Sequence, residues 1–281
     1  MALFLGLIIP AMLQLNILPS PSPAVVISRY EKGAFPRFES LFEVPSMSSP
    51  LHHLALDPLE ASASVVLENR SEKPITAWRY RWQTLDVSGK RRTSTCSNDS
   101  YAVDVYRAIA EPGSHHLISS TSGSVDETLI NHVLTGGGLI TMKVGAKSDP
   151  SPGDIVELTF EIQLVLFADG EIAGPDPDGY VTELICRKPA AEFIARQVRL
   201  AKTEGRDVTP VLSALAETPE LHGPGRSQRD PLIHWVRHYA RNYLHNMHRK
   251  IGGVDMREAT LKHLENRSAL PKFYRRQLPS E

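Results

Sequence analysis

The sequence predicts a mainly β fold with α-helix at its end: an antiparallel β-sandwich followed by a helical C-terminal region. Three observations predict it. Between Leu51 and Ala173, runs of β-branched and aromatic residues alternate with polar ones, the period of a half-buried strand. Turn residues break those runs into about six to eight short strands, a layout that fits a sandwich or barrel better than alternating strands and helices. Beyond about Pro177 the apolar spacing lengthens to that of a helix.

The first element is the apolar run Leu3 to Leu18, interrupted by Gln14 and Asn16. About 16 residues is short for a helix crossing a ~30 Å hydrocarbon core and suits the apolar part of an export signal. Ser22-Pro23-Ala24 offers the small side chains a signal peptidase needs, so residues 1–24 are expected to be a signal peptide. The expected compartment is extracytoplasmic, periplasmic or secreted, with membrane attachment only where the segment is retained. No Lys or Arg precedes Leu3, and the alternative is a buried N-terminal strand or helix of a cytoplasmic protein. Residues 25–50, rich in Pro and Ser with isolated aromatics at Tyr30, Phe35, Phe38 and Phe42, read as an extended leader packing locally on the body.

Residues 51–175 hold the expected sandwich. Ser64 to Glu68 is a β-branched run closed by the polar turn Asn69-Arg70-Ser71. Ile75 to Leu85 alternates, with Trp78, Tyr80 and Trp82 on one face and Arg79, Arg81 and Gln83 on the other. Pro74 fits the first position of that strand, and Asp86 to Lys90 supplies a turn. Tyr101 to Ala110 alternates again before Glu111-Pro112-Gly113-Ser114. Leu139 to Val144 is a further strand. Asp154 to Ala168 is the longest, and Asp169-Gly170 turns the chain into a return strand through Ile172.

Residues 176–281 form the helical region, with helical spacing over Tyr180 to Glu204, Val211 to Ala216, Pro231 to Lys250 and Asp255 to Asn266. Asp230-Pro231 is an N-cap followed by a proline in the first turn. Pro189 marks a break or cap, and Gly252-Gly253 is expected to end the third helix.

The run LENRSEKPITAWRYRW, with the later DSY and EPGS segments, resembles the opening strands of bacterial extracytoplasmic immunoglobulin-like domains. FADGEIAGPDPDGY, leading into a helix, is similar to segments of exported proteins of unassigned role. The resemblance covers residues 60 to 200 and implies an immunoglobulin-like sandwich outside the cytoplasm. It implies no catalytic residue.

Charge narrows the partners. The chain carries 31 Lys and Arg against 32 Asp and Glu, a net charge of −1, which argues against nucleic acid as a partner. From Arg226 onward twelve bases face five acids, so this part is expected to complement the acidic remainder or, alternatively, to meet something anionic. The two cysteines, Cys96 and Cys186, permit one disulfide in an oxidising compartment; two partly buried thiols are the alternative.

Candidate chemistry is confined to two places. On the helix from Pro231, His234, His238, His245 and His248 lie within roughly 80° of one another, with Arg241 among them. His234 and His238 have the i, i+4 spacing of a metal-chelating pair, although Arg241 opposes a cation there. Leu232, Val236, Tyr239, Tyr243 and Met247 form the opposite, apolar face. Asp169, Glu171, Asp176 and Asp178 surround glycines, an arrangement that suits calcium or, equally, turns and caps. Gly136 to Gly138 lacks a phosphate-loop pattern, and His52-His53 and His115-His116 point to opposite faces of a strand. The expectation is a non-catalytic module without a cofactor that binds a protein or cell-surface partner. The alternative is a hydrolase or metal-dependent enzyme using the histidine face or the aspartate-rich loop.

Overall fold

The structure, a computed structural model, describes residues 13–42, 58–100, 108–120, 123–126, 154–219, 230–266 and 270–275. It is mixed α/β, with antiparallel sheets and five α-helices among the described residues. The chain divides into two units: Met1–Asn98 with Ala108–Gly174 and Arg275–Glu281, and Asp99–Arg107 with Pro175–Tyr274. Most of the expected strand Tyr101 to Ala110, the strand Leu139 to Val144, the triple glycine and His52-His53 lie outside the described residues.

The strands are β1 (Gln14–Ile17), β2 (Val25–Arg29), β3 (Ser64–Asn69), β4 (Ile75–Asp86), β5 (Arg91–Asp99), β6 (His115–Ser119), β7 (Gly123–Asp126), β8 (Ile155–Phe167), β9 (Glu171–Ala173), β10 (Lys250–Ile251), β11 (Val254–Asp255) and β12 (Tyr274–Arg275). One sheet runs β12-β9-β8-β4-β5, and β1 joins it in parallel beside β8. A second sheet runs β2-β3-β6-β7, each neighbour antiparallel.

Trp78, Tyr80 and Trp82 are buried on one face of β4, and Arg79, Arg81 and Gln83 stay half-exposed on the other. The indole of Trp82 lies 4.6 Å from the Phe160 ring, a contact worth about 0.5–1.5 kcal/mol beyond its buried area. The long β8 does not alternate strictly. Its core residues are Ile155, then Leu158, Phe160 and Ile162, then Val165 and Phe167, so the inward parity switches twice. Both switches fall where its register with β4 shifts, each shift inserting one residue and turning the following side chains over. Gln163, at the second shift, is buried, and Gly174 packs against its carbonyl. A Cβ on Gly174 would meet that oxygen at 2.3 Å, and its φ of +94° is one that glycine tolerates.

The two N-terminal strands come from segments with other expected roles. Gln14–Ile17, expected within the apolar part of an export signal, pairs with Glu157–Phe160, and Leu13, Leu15 and Ile17 pack against the same cluster as the tryptophans. Val25–Arg29, expected in the leader, pairs with β3. Helix α1 (Pro36–Phe42) follows. Together Tyr30, Phe35, Phe38, Leu41 and Phe42 cover Val66 and Leu117, so β3 and β6 are buried on both faces. That is why β3 reads as an unbroken β-branched run: Val65 and Leu67 enter one cluster while Val66 enters the other.

The second unit holds α2 (Tyr180–Thr203), α3 (Thr209–Glu217), α4 (Pro231–Asn246) and α5 (Met256–Glu265). Its core joins Ala190, Ala191, Ile194 and Val198 to Leu212, Tyr239, Ala240, Tyr243 and Leu264, the alanines allowing close helix approach. Pro189 lies inside α2, which continues through it, because tertiary packing offsets the lost hydrogen bond. Asp230 caps α4 as its position predicts, accepting from the amides of Leu232 and Ile233 at 2.9 and 3.2 Å. That helix ends earlier than expected, at Asn246. Gly252 and Gly253, with φ of +58° and +83°, form instead the two-residue turn of the β10–β11 hairpin, where both central residues need positive φ.

Candidate functional site

The second unit carries a buried polar group that no sequence motif announces. Arg187, on α2, is 8% exposed. Its Nη1 donates to Asp99 Oδ1 at 2.7 Å, and the Tyr180 hydroxyl donates to Asp99 Oδ2 at 3.0 Å. Both carboxylate oxygens are therefore engaged, as a carboxylate removed from water requires. The guanidinium also lies over the indole of Trp235 on α4, with Cζ 4.4 Å from the ring centroid, a cation–π contact in a dry setting. His234 and His238 stand nearly edge-on to that indole, at 5.4 and 5.1 Å between centroids. Arg187 Nε and Trp235 Nε1 are buried without a hydrogen-bond partner among the described residues.

The histidine face is divided among different neighbours. His234 and His238 flank Trp235, whereas Arg241 donates from Nε to the Ala216 carbonyl at 3.1 Å, supporting the C-terminal turn of α3. His245 Nε2 lies 2.7 Å from Arg249 Nη1. The Asp207 carboxyl is held low chiefly by hydrogen bonds from Thr209, with a smaller contribution from the nearby His248. Leu232, expected on the apolar stripe, is 42% exposed, while Trp235 packs on the core instead.

The aspartates of the glycine-rich segment also separate. Asp169 and Glu171 both face Lys73, at 2.6 and 2.5 Å, and these hydrogen bonds push the Lys73 ammonium well above its ordinary range. Asp176 belongs to the other unit, where it accepts from the amides of Tyr180 and Val181 at 2.7 and 3.0 Å and so caps α2; Asp178 precedes that helix. Among the described residues, no three His, Cys, Asp or Glu side chains gather as a metal ion needs.

Cys96 and Cys186 are free thiols, one in each unit. Cys96, on β5, packs against the tryptophan cluster, where burial and then Cys96 itself push the Tyr80 phenol far up. Cys186 lies on α2. Burial, then Asp230 and Glu183, raise its thiol above the usual range. Below the raised value the group stays a thiol, so Cys186 is expected to alkylate slowly at neutral pH, with a rate midpoint above the ordinary ~8.5. Asp230→Asn keeps a good helix cap and should lower that midpoint. Peptide-level mass spectrometry of iodoacetamide labelling against pH checks this, and an unchanged profile would refute the Asp230 contribution.

No protein-family model matches the chain, and no curated protein or solved structure matches it either. No described helix is long and apolar enough to cross a membrane. Asp99, Tyr180, Arg187 and Trp235 are the residues that sequence reasoning passed over. Asp99 and Arg187 are 88 positions apart in sequence, and no local spacing marks them as partners.

Proposed function

We propose that the chain is an exported, non-catalytic module that binds a protein or cell-surface partner, its strands folded as an immunoglobulin-like sandwich. One observation carries the binding reading. The two helices that hold the Arg187–Trp235 contact leave large apolar side chains in solvent, Ile185 at 50% and Leu232 at 42% exposure. Single exposed apolar residues are ordinary, but these two stand on helices that the Arg187–Trp235 contact joins, and His238, Arg241, His245 and His248 leave a separate polar face in solvent. Exposed apolar anchors on a scaffold stiffened by a buried ion pair are the make-up of a recognition surface.

Support for the sandwich comes from the shared cluster, to which one sheet sends Val65, Leu67 and Ile118 and the other Trp78, Trp82 and Phe160. Support for export comes from the apolar N-terminal run and the small residues that follow it.

The test compares immobilised full-length chain with its Ile185→Asp/Leu232→Asp variant for capture from a cell-envelope extract. The expected result is a partner retained by the native surface and reduced at least about tenfold by the double variant, with an unchanged melting temperature, since burying two carboxylates against a partner costs well over 1.4 kcal/mol. Equal capture by both would sink the reading. So would stoichiometric metal in protein purified without a histidine tag, which favours the metal-dependent enzyme.

A further inference from the structure

Away from the Trp235 group, the second unit contains a half-open cavity of about 230 Å³. It lies among the C-terminal part of α2, the last turn of α4 with its cap Met247, and the start of α5. Its inner wall is apolar, from Val198, Ala201, Met247 and Leu261. Tyr243 also lines it, 3% exposed. The phenol is the one hydroxyl among the residues lining the cavity and can donate to a group bound there. Burial, opposed in part by Arg257, holds the phenol above its usual range, so at neutral pH it stands as an O–H donor.

The rim supplies charge. Lys202, Arg206 and Arg257 line the cavity with Asp207 and Glu258, and Arg206 is held by Glu204 beside it. Asp207 is already occupied by the Thr209 amide and hydroxyl at 2.9 and 2.7 Å. Glu258 lies 3.6 Å from Lys202 and 3.9 Å from Arg257, and Asp255 lies 3.7 Å from Arg257; these exposed, loose pairs leave both cations able to turn toward an incoming anion. The space is smaller than the ~300–1,000 Å³ clefts that hold drug-sized ligands, which sets the size of the occupant.

We propose that this cavity binds a small monocarboxylate with a short aliphatic chain, its carboxylate met by Tyr243 and Arg257 and its chain lying on Ala201, Met247 and Leu261. The hydroxyl and guanidinium both donate, so the head group must accept. The apolar wall takes the hydrocarbon.

Calorimetric titration of the full chain with sodium hexanoate, 1-hexanol and hexylamine tests it. Hexanoate is expected to bind saturably at one per chain, hexanol more weakly and hexylamine not at all. Tyr243→Phe keeps the ring and should weaken hexanoate about tenfold, the value of one hydrogen bond to a charged group. Ala201→Met fills the space and should abolish binding. Arg257→Gln, at an exposed position, repeats the test should Tyr243→Phe lower the melting temperature. Heats of dilution alone with hexanoate, equal binding of hexylamine, or undiminished affinity in the variants would overturn the proposal.

Discussion

Arg187→Met is expected to lower the stability of the protein by about 3–5 kcal/mol, because it leaves the Asp99 carboxylate buried without its cation. The pair is dry on both sides, with side-chain exposures of 10% and 8%. Among the described residues, the Tyr180 hydroxyl alone then remains on the carboxylate. The indole of Trp235 loses the guanidinium above it as well, so the near-ultraviolet signal of the folded state should change. Guanidinium unfolding measures the loss. Asp99→Leu in the same chain should recover most of it, since removing both charges removes the penalty that either single change creates. A loss below about 1 kcal/mol for Arg187→Met would show that the pair is effectively hydrated and does not anchor the recognition surface.

A chain beginning at Val25 should be less stable than one beginning at Leu13 by about 2–4 kcal/mol, from the part-burial of Leu13, Leu15 and Ile17. Those side chains pack against the tryptophan cluster, and the Leu18 amide donates to the Phe160 carbonyl at 2.9 Å. Removing β1 also bares the edge of β8 over Glu157–Phe160, a template for pairing between molecules. The result bears directly on export: signal cleavage after Ala24 leaves β2 as the first strand, and the mature form must then fold without β1. Thermal and chemical unfolding of the two chains, with light scattering to follow association, measures the difference. Equal stabilities would show that β1 adds nothing to the fold, and the apolar run would then answer to targeting alone.

Much of the local structure is legible in the residues. The face of β4 follows from the alternation of Trp78, Tyr80 and Trp82 with arginines, and the start of α4 follows from Asp230-Pro231. The Asp86 turn is equally local, its Oδ1 accepting from the amides of Ser88 and Lys90 at 3.0 Å each. Where the residues mislead, packing or strand pairing decides. Pro189 is carried inside α2 by packing, and Gly252-Gly253 turns a hairpin because β10 and β11 pair across it.

The sequence by itself determined the strand-rich first part, the helical second part and the faces of their longest elements, because periodicity and capping act over a few residues. The tertiary structure alone decided that β8 changes parity at two register shifts, that β1 lies parallel to it, and that Asp99, Arg187 and Trp235 meet. Each of these joins segments tens of residues apart. Such contacts arise from pairing and packing between segments, which no local period encodes.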